Sequence, residues 1–475
     1  MSKRKTKIVA TIGPVTSSKE NLVKLIKSGV NVCRLNFSHS THEEHIEVIK
    51  NIREADKELG THTAILGDLQ GPKIRIGEVQ DNNIELVPGA EIIITTKSLM
   101  GTAEKVSITY QDLPKDVKKG ERILLDDGKL MFEVISTNLK DEVKLKVIHG
   151  GYLSSRKGVN LPNTNISQPS LTEKDKEDLQ VILEYDLDWI GLSFVRSAKD
   201  IVELKYLISQ NNKQTKVVAK IEKPEAVADL ENIVRESDAV MVARGDLGVE
   251  IPMQDVPLIQ KKIITTCLNY AKPVIVATQM MESMTENAAP TRAEVNDVAN
   301  AVMDGADAVM LSGETSVGKY PFITVEAMCK IIEKVESDYE EMYSKEREPA
   351  KDRERFITDS ICFTSCRLAS RVEATGIITM THSGYTAYKI SSQRPKAAVF
   401  VFSGNKKLLT QLSLVWGVKT FFYNKTVSTD HTIADIKYLL KKQGHVAKGD
   451  MIINTASIPI EENGKTNMMK MSVVE

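Results

Sequence analysis

The sequence predicts an α/β protein: a (β/α)8 barrel, a small β-barrel domain inserted after its third strand, and a C-terminal open α/β domain. Three observations predict it. Short β-branched runs alternate with helical stretches, three strands falling before residue 72 and five more between 189 and 312. Between about Lys73 and Gln168 that alternation gives way to short strands and turn signals with no long helical pattern. After a charged stretch near Tyr343 to Glu354, which reads as a linker, strands and helices alternate again. The predicted boundaries are 1–71 and 170–345 for the barrel, 72–169 for an inserted lid, and 346–475 for the C-terminal domain.

Composition sets outer limits. A chain of 475 residues is too long for one ordinary core. Its 27% charged and 41% hydrophobic residues are those of a soluble globular protein, and a net charge of -1 argues for no nucleic-acid or membrane partner. The basic start, MSKRKTKIVATIGPV, loses its apolar run at Thr11 and Gly13-Pro14, so neither a signal peptide nor a spanning segment is expected. Cys33, Cys267, Cys329, Cys362 and Cys366 form no C-x-x-C pair and read as reduced core residues of a cytoplasmic protein.

Taken in order, Thr6 to Gly13 is the first strand run, and Ser18 to Ser28 is a helix stopped by Gly29. Val30 to Phe37 is the second strand, with Arg34, Asn36 and Ser38 two apart near its end and so on one side. One buried arginine is normally an ion pair; three polar side chains in register at a strand end favour a site. Thr41 to Leu59 is helical, and Ala64 to Leu69 is the third strand, leading into Gln70-Gly71-Pro72-Lys73-Ile74-Arg75. The insertion carries strands at 84–87, 91–95, 122–125, 130–135 and 143–148.

From Leu171 a helix runs to Tyr185, then a strand from Trp189 to Val195. Residues 217–222 and 238–243 are strands flanking a helical stretch, a βαβ unit of a parallel sheet. Runs 273–278 and 306–312 complete the eight, and between them Thr291-Arg292-Ala293-Glu294 is a capping box opening a helix that stops at Gly305. Strands at 376–380, 397–402, 420–423 and 451–454 make the C-terminal domain.

The chemistry gathers at strand C-termini, where barrels of this kind place it. Lys220 and Glu222 are two apart and share a face; Asp246 follows the next strand. A cation and two carboxylates there can hold a divalent metal beside a phosphate. A lone K-x-E pair is more often an ordinary salt bridge; Arg34, Asp68 and Thr278 at other strand ends raise the functional reading. Thr381-His382-Ser383-Gly384-Tyr385-Thr386 places hydroxyls and a glycine before a helix, an anion site by chemistry, though capping and turn formation is the likelier use of such a loop taken alone.

Eight segments together resemble the pyruvate kinase family: KIVATIGP (7–14), CRLNFSHS (33–40), GDLQGPKIRIG (67–77), RKGVNLP (156–162), AKIEKPEA (219–226), ARGDLGVEIP (243–252), ATQMMESM (277–284) and PTRAEVNDVANAVMDGADAVMLSGET (290–315). The resemblance implies transfer of the phosphoryl group of phosphoenolpyruvate to ADP, giving pyruvate and ATP in the last step of glycolysis. It implies Glu222 and Asp246 as ligands of Mg2+ (or Mn2+) and Lys220 as stabiliser of charge on the phosphoryl group and the enolate. Arg34 would hold the phosphoryl group, and Gly245 and Thr278 would position the substrate. Asn36, Phe37, Ser38, His39, Arg75 and Lys157 would contact the nucleotide. An allosteric homotetramer is expected, with a phosphorylated effector at Thr381, Ser383 and Thr386.

One departure matters. Where most members have a glutamate, this chain has Lys73, which with Leu69 and Gln70 resembles the minority that works without K+. The lysine supplies a fixed positive charge in place of the ion, while Asn36, Ser38, Asp68 and the Leu69 carbonyl, ligands of K+ elsewhere in the family, leave a vestigial site. Two other readings stand beside this one. A metal-dependent lyase or aldolase acting on a pyruvate enolate needs neither the lid nor Lys157. A catalytically silent phosphosugar sensor needs no intact Lys220, Glu222 and Asp246.

Overall fold

The computed structural model describes residues 4–343, 346–349, 354–425, 428–457 and 465–475; residues 344–345 and 350–353 of the predicted linker, and with them the boundary at 345, lie outside the described residues. Eight parallel strands close a barrel in the order β1-β8-β7-β6-β5-β4-β3-β2. They are β1 (Lys7–Thr11), β2 (Val32–Asn36), β3 (Ala64–Asp68), β4 (Trp189–Leu192), β5 (Lys216–Ile221), β6 (Ala239–Ala243), β7 (Val274–Ala277) and β8 (Ala308–Leu311). Each predicted barrel strand is present, most trimmed by a few residues and the one expected at 217–222 shifted by one.

Side-chain alternation sorts the barrel into two cores. Val9, Val32, Leu66, Trp189, Val218, Met241, Ile275 and Met310 point inward and fill the interior, while Ile8, Cys33, Ile65, Val217 and Val240 point outward against the helices. Continuing the inward stripe toward the C-terminal rim, the next positions are Thr11, Arg34, Asp68 and Lys220. The interior is apolar until its last layer, which is polar. That switch builds the site.

The helices behave as their caps dictate. Thr41 and Thr291 each close a capping box with Glu44 and Glu294. The stretch between β5 and β6 is two short helices, Pro224–Ala228 and Leu230–Glu236, rather than one.

The insertion has its own core around Phe132, Ile123 and Leu145. Its main sheet has six strands, including the unpredicted Lys105–Ser107 and Val159–Asn160. Arg75 pairs with Gly158 and Ile76 with Ile108, which bridges the two edges of that sheet and rounds it into a small barrel. The C-terminal domain is a five-stranded sheet, parallel except for an antiparallel edge strand, Met468–Val473, that the sequence pattern does not signal. It docks on the N-terminal end of the barrel, where Leu414 joins the barrel's interior core. Among the described residues no helix is long and apolar enough to cross a membrane.

Candidate active site

Four charged side chains interlock at the rim. Arg34 on β2 donates through Nε to Asp68 Oδ2 at 2.7 Å, with its Nη2 2.6 Å from the same oxygen, and through Nη1 to the Thr11 hydroxyl at 3.0 Å. Lys220 Nζ lies 3.3 Å from Asp68 Oδ1 and 2.9 Å from Glu222 Oε1, and donates to the Ser193 hydroxyl at 2.7 Å. Room for Asp68 comes from its neighbour on β4: a Cβ at Gly191 would stand 2.7 Å from Asp68 Oδ1.

The electrostatics follow from burial. Burial pushes the Asp68 carboxyl up, but Lys220 and Arg34 outweigh it and hold the group below the usual carboxylate range. Burial would likewise discharge Lys220; Asp68 and Glu222 reverse that and keep its ammonium protonated well above the ordinary lysine range. Glu222 runs the other way. Burial raises its carboxyl most, Lys220 pulls it back, and the Asp246 carboxylate adds to the rise. Glu222 Oε2 is fixed by the Phe194 amide at 2.8 Å.

The second half of the site is a backbone turn. Gly245 is the second residue of the short helix Arg244–Glu250, and its amide donates to Thr278 Oγ1 at 2.7 Å. Thr278 and Gln279 sit at φ 69° and 55°, a costly conformation for a β-branched residue. Arg244 holds that turn. Its guanidinium forms a fork on Asp297 at 2.7 Å for both oxygens and donates to the Thr278 and Ala277 carbonyls at 2.7 and 3.2 Å. Asp246, directly after Gly245, lines a cleft with Lys223 and Arg196, together with Lys73, Asp127 and Asn160 of the insertion.

The remaining expected residues divide. Asn36 Oδ1 accepts from the Ser38 amide at 3.2 Å, and His39 is exposed beside them. Phe37 does not face the cleft: its ring is 2% exposed and stacks on His45 at 4.3 Å. Its amide donates to the Asp68 carbonyl and its own carbonyl accepts from Lys174. Arg75 donates to the Arg156 carbonyl at 2.9 Å, and Lys157 pairs with Asp126 at 2.7 Å, both within the insertion. The Leu69 carbonyl accepts the Ser193 hydroxyl at 2.8 Å. In the C-terminal loop the Gly384 amide donates to Thr381 Oγ1 at 2.9 Å, while Ser383 is exposed. Thr386 is buried, its hydroxyl 2.8 Å from that of Thr466.

Two family models match the chain: pyruvate kinase, barrel domain, over residues 3–325, and pyruvate kinase, alpha/beta domain, over 359–472. The chain is 43% identical over 476 residues to a pyruvate kinase of Geobacillus stearothermophilus, covering 99% of this chain and 81% of that one. It belongs to the pyruvate kinase family. A pyruvate kinase of Corynebacterium glutamicum is also 43% identical, over 472 residues and 98% of its length. The crystal structure of a pyruvate kinase from Cryptosporidium parvum superposes with a TM-score of 0.93 at 36% identity, covering 100% of this chain and 97% of that one. The chain is therefore a phosphotransferase acting between phosphoenolpyruvate and ADP, and the lyase and sensor readings fall away.

The donor set suits the divalent metal that pyruvate kinases use. Among the described residues no group of three or more His, Cys, Asp or Glu side chains gathers to hold a metal, whereas Glu222 and Asp246 offer two hard oxygen ligands. Thr11, Ser193 and Phe194 touch the rim cluster and were missed by sequence reasoning, which marked Arg244 only as an ionisable strand end without a role. A hydroxyl on the inward stripe was the available signal for Thr11; Phe194 contributes only a backbone amide, which no side-chain pattern announces.

Proposed function

We propose that phosphoryl transfer runs on the rim assembled from Arg34, Asp68, Lys220 and Glu222, and the observation that carries this reading is the Lys220 ammonium held between two buried carboxylates. Kept charged there, Lys220 stabilises the transferring phosphoryl group and the enolate left behind. Arg34, oriented by Asp68 and Thr11, holds the phosphoryl group of phosphoenolpyruvate. The Gly245 amide and Thr278 hydroxyl, already aligned on each other, orient the substrate. Glu222 and Asp246 hold Mg2+ or Mn2+, which when bound supplies positive charge to the substrate's oxygens. Asn36, Ser38, His39, Arg75 and Lys157 form the nucleotide side, with the insertion as a lid that excludes water. The distinct barrel and insertion cores support the division at residues 71 and 169. Pyruvate formation from phosphoenolpyruvate and ADP tests the site: Glu222→Gln should lose about a hundredfold or more in kcat and weaken Mn2+ binding. Mn2+ binding at wild-type strength would remove Glu222 from the metal set.

The enzyme works without K+ in this reading. Its support is that Lys73 lines the same cleft as Asp246, and that three of the four vestigial ligands are engaged: Asn36 by the Ser38 amide, Asp68 by Arg34 and Lys220, and the Leu69 carbonyl by Ser193. Activity in tetramethylammonium chloride should equal that in KCl at equal ionic strength, and a stimulation by K+ of about tenfold or more defeats the idea. A phosphorylated effector meets Thr381 and Ser383; Ser383 lines a pocket of about 560 Å3 with Lys205, Lys213 and Lys216 of the barrel. Thr381→Ala/Ser383→Ala should abolish activation by whichever sugar phosphate or nucleotide activates the wild type. We take the enzyme as a cytoplasmic homotetramer: the five cysteines are unpaired, and Met253 and Leu258 are exposed apolar side chains fit for a subunit contact, which sedimentation velocity tests.

A further inference from the structure

Two lengths of chain join the insertion to the barrel, and each rests on a residue that supports an active-site carboxylate. On the outgoing side Gly71 has φ 69°, and a Cβ there would lie 2.8 Å from the Phe194 ring. Phe194, itself at φ 54°, is the residue whose amide holds Glu222. On the returning side Asn160 Nδ2 donates to Glu250 Oε1 at 2.9 Å, and the same oxygen accepts from Lys223 Nζ at 2.7 Å. Lys223 directly follows Glu222. Glu250 ends the helix that begins with Arg244-Gly245-Asp246. The Lys223 ammonium also lies 6.0 Å over the Phe194 ring, so both sides of the hinge meet in one cluster.

The pairing is an expensive way to gain stability alone. The side chains of Lys223 and Glu250 are 6% and 1% exposed, and Glu250 Oε2, also buried, finds no hydrogen-bond partner among the described residues. A buried ion pair with an unmet acceptor offsets little of its desolvation cost, and its attested use is to fix one arrangement. Here the arrangement fixed is that of the insertion against the helix bearing Asp246.

We propose that Glu250 is a positioning residue: through one oxygen shared by Asn160 and Lys223 it couples the setting of the inserted domain to the Glu222–Asp246 pair. The proposal rests on the reading of those two carboxylates as metal ligands. A wrongly set lid would loosen the pair, and a well-set pair would favour the lid position that the hinge adopts.

The test uses the full-length enzyme in four variants. Asn160→Ala removes the hinge bond and leaves the buried ion pair. Asn160→Asp puts a second carboxylate against Glu250, and Glu250→Gln removes the charge of Glu250. Asn160→Asp/Glu250→Gln rebuilds the bond with donor and acceptor exchanged and returns a negative charge to Lys223. Two readouts are taken without substrate: Mn2+ affinity by electron paramagnetic resonance, and amide exchange at residues 72–76 and 244–251. Asn160→Asp should weaken Mn2+ binding about tenfold and raise exchange in both segments, with Asn160→Ala and Glu250→Gln smaller in the same direction; the double variant should return to within about twofold of wild type. Wild-type affinity and exchange in Asn160→Asp, or a double variant no better than it, overturns the coupling. Should wild-type Mn2+ binding prove insensitive to Glu222→Gln, the metal assignment is at fault, and exchange at 244–251 with its rescue still decides the coupling.

Discussion

Lys220 shows why a single charge can be worth a buried site. Its ammonium already has three oxygen partners, from Asp68, Glu222 and Ser193, so the ground state is satisfied without substrate. What substrate adds is charge that grows during transfer, and a preorganised cation responds to that growth without rearranging. Lys220→Met should lower kcat by about a hundredfold or more and change KM for phosphoenolpyruvate by only a few-fold, as steady-state kinetics would reveal. A KM effect larger than the kcat effect would make Lys220 a binding residue instead. At this scale much was legible. Period-two spacing put Arg34, Asn36 and Ser38 on one side of their strand and Lys220 and Glu222 on one face of theirs, without saying which side turns inward. The burial of Phe37 was not legible, because a matching motif carries neighbouring residues along without saying which of them face inward. Lys157 is engaged with Asp126, a partnership between two distant loops that neither loop advertises.

Among elements, the β6 and β7 ends depend on one another. The β7 end needs a threonine at positive φ, a conformation costing on the order of 1–3 kcal/mol unless its surroundings impose it. Arg244, from the β6 end, imposes it by gripping the Thr278 and Ala277 carbonyls while Asp297 holds its fork. A lysine keeps the charge and loses the fork. Arg244→Lys should therefore raise KM for phosphoenolpyruvate by about tenfold, with a smaller drop in kcat, because the Thr278 hydroxyl loses its alignment. An unchanged KM would show that Thr278 is held without help. Elements themselves were readable where chemistry punctuates them: capping boxes at Thr41 and Thr291, stops at Gly29 and Gly305. The strand Met468–Val473 was not, since it pairs antiparallel at a sheet edge and its residues stay half-exposed or exposed, so no buried face imposes alternation.

At the scale of the whole molecule, the C-terminal domain is joined to the barrel by buried charges that the sequence scatters over hundreds of residues. Asp307, just before β8, accepts from Arg394 at 2.7 Å and from the Trp416 amide at 3.2 Å. Lys7, at the start of β1, donates to the Val418 carbonyl at 2.8 Å with 8% of its surface exposed. No periodicity marks such residues, which is why domain count was predictable and domain docking was not. Lys7 also makes the junction sensitive to pH. Burial, aided by Arg4 and Lys419 and opposed by Glu336 and Asp307, pushes its ammonium down to about 7. In the unfolded chain the same group keeps its ordinary value of 10.5. Between those two values the unfolded state binds the extra proton, so stability from this group rises with pH and is lost as pH falls toward the folded value. From pH 7 to pH 9 the gain is about 2 kcal/mol. Lys7→Met removes the titration, so the thermal midpoint of the wild type should climb relative to the variant's over that interval, measured at constant ionic strength. A difference that stays flat from pH 7 to 9 would mean that Lys7 keeps its proton in the folded enzyme, and that the barrel floor carries a charge at the C-terminal junction.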